Sequence, residues 1–204
     1  MADRARLTSL FALHVELRRI PDAVSEPPLG EIRLQWWREA LDEIAADGTP
    51  RAHPVVQALA ESGAVSASAR ATLDRLIDAR ARLFYRPHFS SIEDLNGFLR
   101  AAEAPIAALA LEDEDDRSIR EAAETYALTR FAPQLTPSLA VEAARESLSR
   151  HPDHRRALSN LSPENAGKVA FLALTPGYAA RPDGGNWPVI KRATLFRTML
   201  TGHF

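Results

Sequence analysis

The sequence has no cysteine, only nine glycines, and only two lysines among its 25 basic residues. Without cysteine, disulfides, a zinc–thiolate site and a thiol nucleophile are all excluded. No apolar run reaches the ~20 residues that cross a bilayer, and the first residues lack the apolar stretch of a signal peptide. The net charge of -2 provides no basic excess for binding nucleic acid. We therefore expect a cytoplasmic protein with no nucleic-acid partner.

The residues that are abundant favour helices. The chain of 204 residues is 46% hydrophobic and includes 36 alanines, and arginine supplies nearly all of its basic residues. Alanine and arginine rank high in helix propensity, whereas the valine, isoleucine and aromatic residues that strands prefer are scarce. The length is ample for one domain with its own core. We predict an all-α protein with a single domain over residues 1–204.

Hydrophobic periodicity and helix-breaking residues predict the order of the helices. Pro21 is expected to end or kink the first helix, and Pro105 to kink the fifth. The acidic run at 112–116 is expected to be a solvated turn, and the Gly/Pro-rich stretch at 175–188 to be a connector. The predicted helices cover residues 3–20, 29–46, 54–61, 68–85, 92–111, 118–131, 137–149, 162–174 and a basic amphipathic segment at 189–200.

Sequence motifs for metal binding or nucleophilic catalysis are absent. The six histidines include no HxxxH or HExxH spacing, and no G-x-S-x-G, P-loop or G-x-G-x-x-G motif occurs. Pro152 lies between His151 and His154, which predicts a surface loop there and not a shared helical face. His14 lies on an apolar stripe and is predicted to be a core histidine. We expect no metal ion at the histidines.

One pair of acidic residues with helical spacing is Asp74 and Asp78. Two carboxylates at i and i+4 lie on one helix face, where they can share Mg²⁺ ions that bind a diphosphate. Arg70 and Arg82 continue the same four-residue step on either side of the pair. Because opposite charges at this spacing usually pair with each other, the pattern favours a solvated, salt-linked face over a metal site.

The second pair is Asp22 and Glu26, again four residues apart. It follows Pro21 and directly precedes Pro27 and Pro28, where regular helix is not expected. Turn and capping roles are therefore favoured for these two acidic residues. Both pairs nevertheless stay candidates for diphosphate and Mg²⁺ binding if the protein is an enzyme.

Several blocks of the sequence carry a family likeness. They are LFALH at 10–14, VSEP at 24–27, LGEIRLQWWREAL at 29–41, RAHPV at 51–55 and LIDAR at 76–80. Together they resemble the squalene/phytoene synthase family, and in particular a divergent branch related to a mitochondrial complex I assembly factor. The resemblance covers residues 7–110. It implies an all-α, isoprenoid-synthase-like helical bundle around an apolar cavity. In an active member, two Asp-rich motifs would hold Mg²⁺ while two prenyl diphosphates are joined head to head.

The Asp-rich motifs implied by this resemblance are degenerate here. The first aligns with Pro21 and Ser25, and a shift by one residue to Asp22 and Glu26 turns the pair by about 100° around a helix. The second is expected at 130–133, which contain no acidic residue. The C-terminal half is also expected to be shorter than in the family. Since a departing diphosphate needs metal ions to stabilise its charge, these differences favour an inactive protein.

Three functional hypotheses remain. The favoured one is a helical scaffold that has lost prenyl transfer and binds a protein partner or a prenyl or lipid ligand, with respiratory-complex assembly implied by the resemblance. The alternative is a Mg²⁺-dependent prenyl transferase of isoprenoid biosynthesis. The third is an accessory contact with the membrane periphery through the last helix, where Lys191, Arg192 and Arg197 lie opposite apolar residues. These apolar residues are Ile190, Phe196, Met199 and Leu200.

Overall fold

The computed structural model describes residues 2–46, 48–112, 117–181, 187–201 and 204. All regular secondary structure in these residues is helical, and none of them lies in a strand, which confirms the all-α prediction. The chain divides into two compact units, of which the first ends at His88 and the second begins at Phe89. The expectation of a single domain over residues 1–204 stays a prediction.

The first unit contains four helices, in which α1 packs on α3 and α4, and α2 packs on α4. Leucines at helical spacing form its core, and Leu10, Leu17 and Leu73 are fully buried. Side chains of Ser66 and His53 cap two of the helices by accepting backbone N–H groups, from Ala69 at 3.2 Å and from Val55 at 3.2 Å. The helices are α1 (Ala2–Ala23), α2 (Pro27–Ala45), α3 (Pro54–Ser62) and α4 (Ala67–Tyr85).

Three prolines near the junction of α1 and α2 lie inside helices and not between them. Pro21 is within α1, which continues to Ala23, so the expected end of the helix at this proline is wrong. Pro27 and Pro28 form the first turn of α2, which therefore begins earlier than predicted. Proline is tolerated there because the N–H groups of a first turn have no acceptor within the helix. The break between α1 and α2 is thus shorter than the sequence suggests.

The second unit contains seven further helices among its described residues. Helix α7 packs on α8 and α5, and α8 packs on α10. Short 3₁₀ segments at Ala132–Gln134 and Ala170–Leu174 join some of them. The helices are α5 (Ile92–Ala102), α6 (Pro105–Leu111), α7 (Arg117–Phe131), α8 (Pro137–Leu158), α9 (Pro163–Lys168), α10 (Thr175–Ala179) and α11 (Pro188–Thr201).

Four predicted boundaries differ in the second unit. Pro105 begins α6 and so separates two helices where one kinked helix was expected. The helix predicted to end at residue 149 continues through Pro152 to Leu158. The predicted helix at 162–174 divides into α9 and a 3₁₀ segment, and the predicted connector begins with α10. The acidic residues 113–116, residues 182–186 of the connector and residue 47 of the predicted stop after α2 lie outside the described residues.

The histidine predictions have mixed outcomes. His14 is buried at 8% exposure, with its Nδ1 3.5 Å from Nη2 of the fully buried Arg80, so the core prediction is confirmed. His151 and His154 lie within helix α8 and are partly buried, so the surface-loop prediction is wrong. Burial lowers the pKa of both imidazoles below the usual value. Nearby Arg155 further lowers the pKa of His151.

Candidate functional site

Helices α2 and α4 pack closely at Gly30. A Cβ atom at this position would lie 2.4 Å from Cζ of Phe84, so only glycine allows the ring of α4 to contact the α2 backbone. Further residues of the same two helices are buried, namely Leu34 and Leu41 of α2 and Leu73 of α4. The close approach brings the polar side chains along both helices within reach of one another.

Arg70 of α4 joins the two helices through three sets of contacts. Its Nη2 and Nε donate to Oδ1 of Asp42 on α2, at 2.7 and 2.9 Å. Nη1 lies 2.5 Å from Oδ1 of Asp74, one turn along α4, and Nη2 also donates to the backbone oxygen of Arg38 at 3.3 Å. Burial lowers the pKa of Arg70, but the hydrogen bonds that its guanidinium donates to Asp74 and Asp42 raise the pKa by more. Asp74 is therefore a partner of a largely buried cation.

Asp78, the second member of the predicted pair, forms an ion pair with Arg38 of α2. Asp74 and Asp78 thus each pair with an arginine, and both arginines link α2 and α4. This is the salt-linked face that the alternating charges favour. The ion pairs neutralise the carboxylates that would otherwise attract a divalent cation.

The structure places Asp22 and Glu26 on different elements. Asp22 is exposed in the last turn of α1, whereas Glu26 is the residue before α2 and has an extended backbone, with φ -134° and ψ 137°. The backbone oxygen of Glu26 accepts from Leu29 at 3.1 Å and Gly30 at 3.4 Å, while its side chain caps nothing. Their spacing of four residues therefore does not place the two carboxylates on one helix face.

Magnesium sites in proteins are built from several converging oxygen ligands. Across the described ranges of the chain, no group of three or more His, Asp or Glu side chains is arranged to hold a metal ion. The acidic residues present, with one pair bound to arginines and the other split between two elements, do not fit a diphosphate-binding Mg²⁺ cluster.

The expected position of the second Asp-rich motif is part of the aromatic packing of the second unit. The guanidinium of Arg130 lies 4.4 Å from the centre of the Tyr178 ring. Phe131 is buried, with its ring 5.6 Å from that of Phe98 and 6.3 Å from that of Phe89. Arg130, which stacks on a ring, and Phe131, which packs in the core, thus occupy the positions expected for the second Asp-rich motif. Catalysis would need carboxylates at these positions.

The exposed side of α2 forms a shallow groove of about 520 Å³. Ile32 lies in its lining with 64% of its surface exposed, and the charged residues Glu31, Arg38 and Glu39 surround it. The hydroxyl of Tyr85 donates to Oε1 of Glu31 at 2.8 Å, and this hydrogen bond raises the pKa of Tyr85. Gln35, Trp36 and Ala81 complete much of the lining. The groove combines an apolar centre with a charged rim.

Arg51 fixes one wall of this groove. Its guanidinium donates to Glu43 at 2.8 and 2.9 Å and to Glu39 at 3.0 Å, and lies 5.2 Å from the centre of the Trp36 ring. The hydrogen bond from Arg51 lowers the pKa of Glu39, and hydrogen bonds to Glu43 and Glu39 raise the pKa of Arg51. Glu39 and Arg51 therefore stay charged near neutral pH, and both charges lie at this end of the groove.

The two tryptophans of α2 have different positions. Trp37 is buried at 5% exposure, whereas Trp36 is partly exposed and lines the groove. Their ring centres lie 5.1 Å apart, edge to face, and His53 packs against both at 5.1 and 5.6 Å. Trp37 is thus the buried anchor of α2, and Trp36 is its partly exposed neighbour. Because His53 also caps α3, its role is structural.

Sequence reasoning missed an aromatic cluster at the start of α11. Trp187 packs edge to face on Tyr178, with ring centres 5.1 Å apart, and is buried. A Cβ on Gly177 would lie 2.1 Å from the Trp187 ring. Lys191 places its ammonium 4.6 Å from the Tyr178 ring and 5.0 Å from the Trp187 ring. A lone tryptophan in a Gly/Pro-rich connector was the available signal.

Helix α11 itself packs on α9 and on the 3₁₀ segment Ala170–Leu174. It contributes one buried residue, Thr198. Within the part of the chain that the structure describes, no helix combines the length and apolar character that crossing a bilayer requires.

The structural features and the sequence agree on the class of protein. The family model described as Squalene/phytoene synthase matches residues 2–134, well over half of the chain. The chain therefore belongs to the squalene/phytoene synthase family, and the all-α, isoprenoid-synthase-like class predicted from the sequence is confirmed.

The chain is also similar to individual proteins with a common name. The chain is 30% identical over 105 residues to NADH dehydrogenase (ubiquinone) complex I, assembly factor 6 from Rattus norvegicus, covering 52% of this chain and 31% of the relative. The proteins of the same name from Bos taurus and Homo sapiens are 28% and 26% identical over 109 residues, covering 53% of this chain and 32% of each relative. The chain thus spans about a third of the length of these curated relatives. No solved structure matches it.

Proposed function

We propose that this protein is a non-catalytic member of the squalene/phytoene synthase family that binds a protein partner during assembly of a respiratory NADH dehydrogenase. The observation that carries the proposal is that neither candidate pair of acidic residues is arranged to bind a metal ion. Asp74 and Asp78 pair with arginines, and Asp22 and Glu26 lie on separate elements. The relatives named as complex I assembly factors support the same role.

The chemistry of prenyl transfer explains why these contacts matter. When the C–O bond of a prenyl diphosphate breaks, diphosphate leaves as an anion of up to three charges, and in an apolar cavity that charge must be stabilised by metal ions. Freeing Asp74 for a metal would remove one of the two carboxylates that pair with Arg70, whose side chain is only 12% exposed. Freeing Asp78 would remove the carboxylate that pairs with Arg38. Such a rearrangement costs free energy that binding would have to offset.

Prenyl transfer is the alternative function that membership of the family supports. It would use Mg²⁺ with Asp22 and Glu26, or Asp74 and Asp78, as ligands. The described residues do not fit such a site, and no catalytic step is assigned to them. A binding role needs neither a metal ion nor another cofactor.

The groove on α2 is the surface that we assign to the protein partner. Protein interfaces combine an apolar centre with a polar rim, and aromatic side chains often dominate their binding energy. Ile32 and the partly exposed Trp36 supply the centre here, and Glu31 and Glu39 belong to the rim. Because Arg51 holds Glu39 and stacks on Trp36, the rim is ordered before a partner binds.

The proposed location is the cytoplasm, with peripheral membrane contact through α11. NADH dehydrogenase is assembled at a membrane. A cytoplasmic binding protein that also contacts lipid would therefore meet its partner there.

The test is deletion and complementation in the native host. Deletion should reduce assembled NADH dehydrogenase, measured on native gels and by NADH oxidation in membranes, and the wild-type gene should restore it. Ile32→Asp should fail to restore assembly, because a carboxylate in the apolar centre of the groove opposes burial there. Val141→Asp, a matched change at an exposed valine of α8, should restore it. Normal assembly in the deletion strain would contradict the proposal.

A further inference from the structure

Helix α11 carries its large apolar side chains on its exposed side. Of the eleven large hydrophobic side chains exposed among the described residues, five lie in this one helix. A surface helix ordinarily turns its apolar stripe inward and its polar face to water, so this arrangement is inverted. The five are Val189 at 76% exposure, Leu200 at 67%, Phe196 at 65%, Met199 at 58% and Ile190 at 54%.

These side chains form one face. At about 100° per residue, Val189, Phe196 and Leu200 lie within roughly 20° of a common line along the helix. Met199 and Ile190 extend the face to about 80° and 100° on its two sides. The face therefore spans about half of the helix circumference, which is broader than the narrow stripe that a helix inserts into a protein groove.

The three cations of α11 divide between its two sides. Lys191 points inward over the Tyr178 and Trp187 rings. Arg192 and Arg197 are exposed and flank the apolar line at roughly 60° and 80° on opposite sides. The segment from Pro188 to Thr201 contains no acidic residue. Both arginines thus lie on the exposed side, among the apolar side chains, so the prediction that they lie opposite these side chains is wrong. The exposed face has an apolar central line with one positive charge on each side of it.

We propose that this face of α11 lies on the surface of an anionic phospholipid bilayer. Its apolar line would enter the boundary between headgroups and acyl chains, while the two guanidiniums reach the lipid phosphates. The inference deepens the peripheral contact named under the proposed function, and rests on it. The flat surface of a bilayer fits the broad apolar face of α11. Negatively charged lipid complements Arg192 and Arg197, because the helix itself contains no carboxylate that could pair with them.

A second copy of the chain fits this face less well. Pairing two α11 helices would bring two exposed arginines from each copy to an interface where the helix itself offers no acidic side chain. The cluster of Trp187, Tyr178 and Lys191 meanwhile holds the opposite side of α11 to the protein. Because a Cβ on Gly177 would meet the Trp187 ring, this anchor is specific, and it keeps the apolar face directed outward.

The test is flotation of the full-length protein with vesicles. Vesicles of phosphatidylcholine with about one-third phosphatidylglycerol should carry the protein upward at low salt, and phosphatidylcholine alone or high salt should release it. Replacing both Arg192 and Arg197 by Gln should weaken partitioning about 25-fold, since each basic residue contributes about a 5-fold preference. Phe196→Glu should weaken it at least about 10-fold.

Matched variants separate this contact from general charge effects. Arg155→Gln with Arg156→Gln changes the net charge equally at exposed positions of α8 and should leave partitioning within about 2-fold. Val141→Glu serves the same purpose for Phe196→Glu. Absence of flotation at low salt, or equal losses in the control variants, would overturn the inference. So would a concentration-dependent dimer that Phe196→Glu abolishes without vesicles. Neither result would change complementation by the Ile32 variant, so failure here is distinguishable from failure of the assembly role.

Discussion

Two glycines mark places where a ring contacts helix backbone too closely for a Cβ atom. Gly30 faces Phe84 in the first unit, and Gly177 faces Trp187 in the second. Neither has the positive φ that usually explains a glycine, since Gly63 is the glycine with that property among the described residues. At the residue scale, glycine therefore serves here to admit aromatic rings, and the anchor of α11 depends on one such contact.

Gly177→Ala should destabilise the protein by about 1–3 kcal/mol, because the added methyl overlaps the Trp187 ring and the ring must move. Urea unfolding measures the change in free energy. The control is Gly97→Ala in the interior of α5, where a Cβ meets no atom within 4 Å. That change should stabilise by about 0.5–1 kcal/mol through helix propensity. Equal effects of the two variants would contradict the steric explanation.

At the scale of secondary-structure elements, both apolar and charged contacts join α2 to α4. The helices share an apolar seam, and arginines on each helix cross to acidic residues on the other. Exposed ion pairs stabilise little, but Arg70 is largely buried and also contacts the backbone oxygen of Arg38. The pair that looked like a metal site is thus part of the packing between two helices.

Arg70→Gln should reduce the free energy of unfolding by about 1–2 kcal/mol, since Asp42 and Asp74 lose their shared charged donor. Thermal and urea unfolding measure the loss. Arg86→Gln, at an exposed position just after α4, removes the same charge and should change stability by no more than about 0.5 kcal/mol. If both variants lose the same amount, the link between α2 and α4 has no special role.

We expect the free energy of unfolding to depend on pH through His151 and His154 of helix α8. Burial lowers the pKa of both below the ordinary histidine value of 6.5, so the folded state favours the neutral imidazoles. Their contribution to stability is complete above pH 6.5 and is lost as the pH falls through 6.5 towards the lower folded-state pKa values. Replacing both by Gln should flatten the fall in unfolding free energy below pH 6.5, measured by urea unfolding at several pH values.

The same substitution at His88, which is exposed, is the control and should leave the wild-type slope unchanged. A slope in the His151 and His154 double variant as steep as that of the wild type would show that other groups cause the loss of stability in acid.

On the scale of the whole molecule, membership of a synthase family does not by itself imply the chemistry of that family. Fold and function separate readily, because packing depends on many residues and catalysis on a few. At the position expected for the second Asp-rich motif, the Arg130 guanidinium stacks on a ring and Phe131 packs in the core. Both residues therefore contribute to packing, which supports the proposal of a non-catalytic protein.

We therefore expect the protein to release no pyrophosphate above the blank when incubated with farnesyl or geranylgeranyl diphosphate and Mg²⁺, because the residues that the structure describes offer no converging carboxylates to hold metal ions beside the leaving group. A coupled pyrophosphate assay provides the measurement. Turnover that Asp22→Ala or Asp74→Ala abolishes would contradict the non-catalytic proposal and restore the alternative of a prenyl transferase.

Local features of the chain were predictable from the sequence. Helix-forming composition and periodicity predicted the all-α class, and the alternation of Arg70, Asp74 and Asp78 predicted salt links in place of a metal site. The family likeness followed from blocks such as LGEIRLQWWREAL. These features depend on neighbours a few residues apart, which the sequence displays directly.

The helix boundaries at prolines were less predictable. Pro21 and Pro152 lie within helices, and Pro27 begins one, because tertiary packing of the flanking residues outweighs the loss of a single backbone hydrogen bond. Sequence rules treat each proline alone and so place boundaries too early in α1 and α8.

By itself the sequence determined that this protein is helical, belongs to a synthase family and lacks acidic residues at both motif positions. Only the tertiary structure decided that Arg38 of α2 pairs with Asp78 of α4, that Arg70 of α4 pairs with Asp42 of α2, and that α11 turns its apolar side outward. The physical reason is that periodicity gives the angle between side chains on one helix, whereas the partner of each face depends on residues distant in the chain.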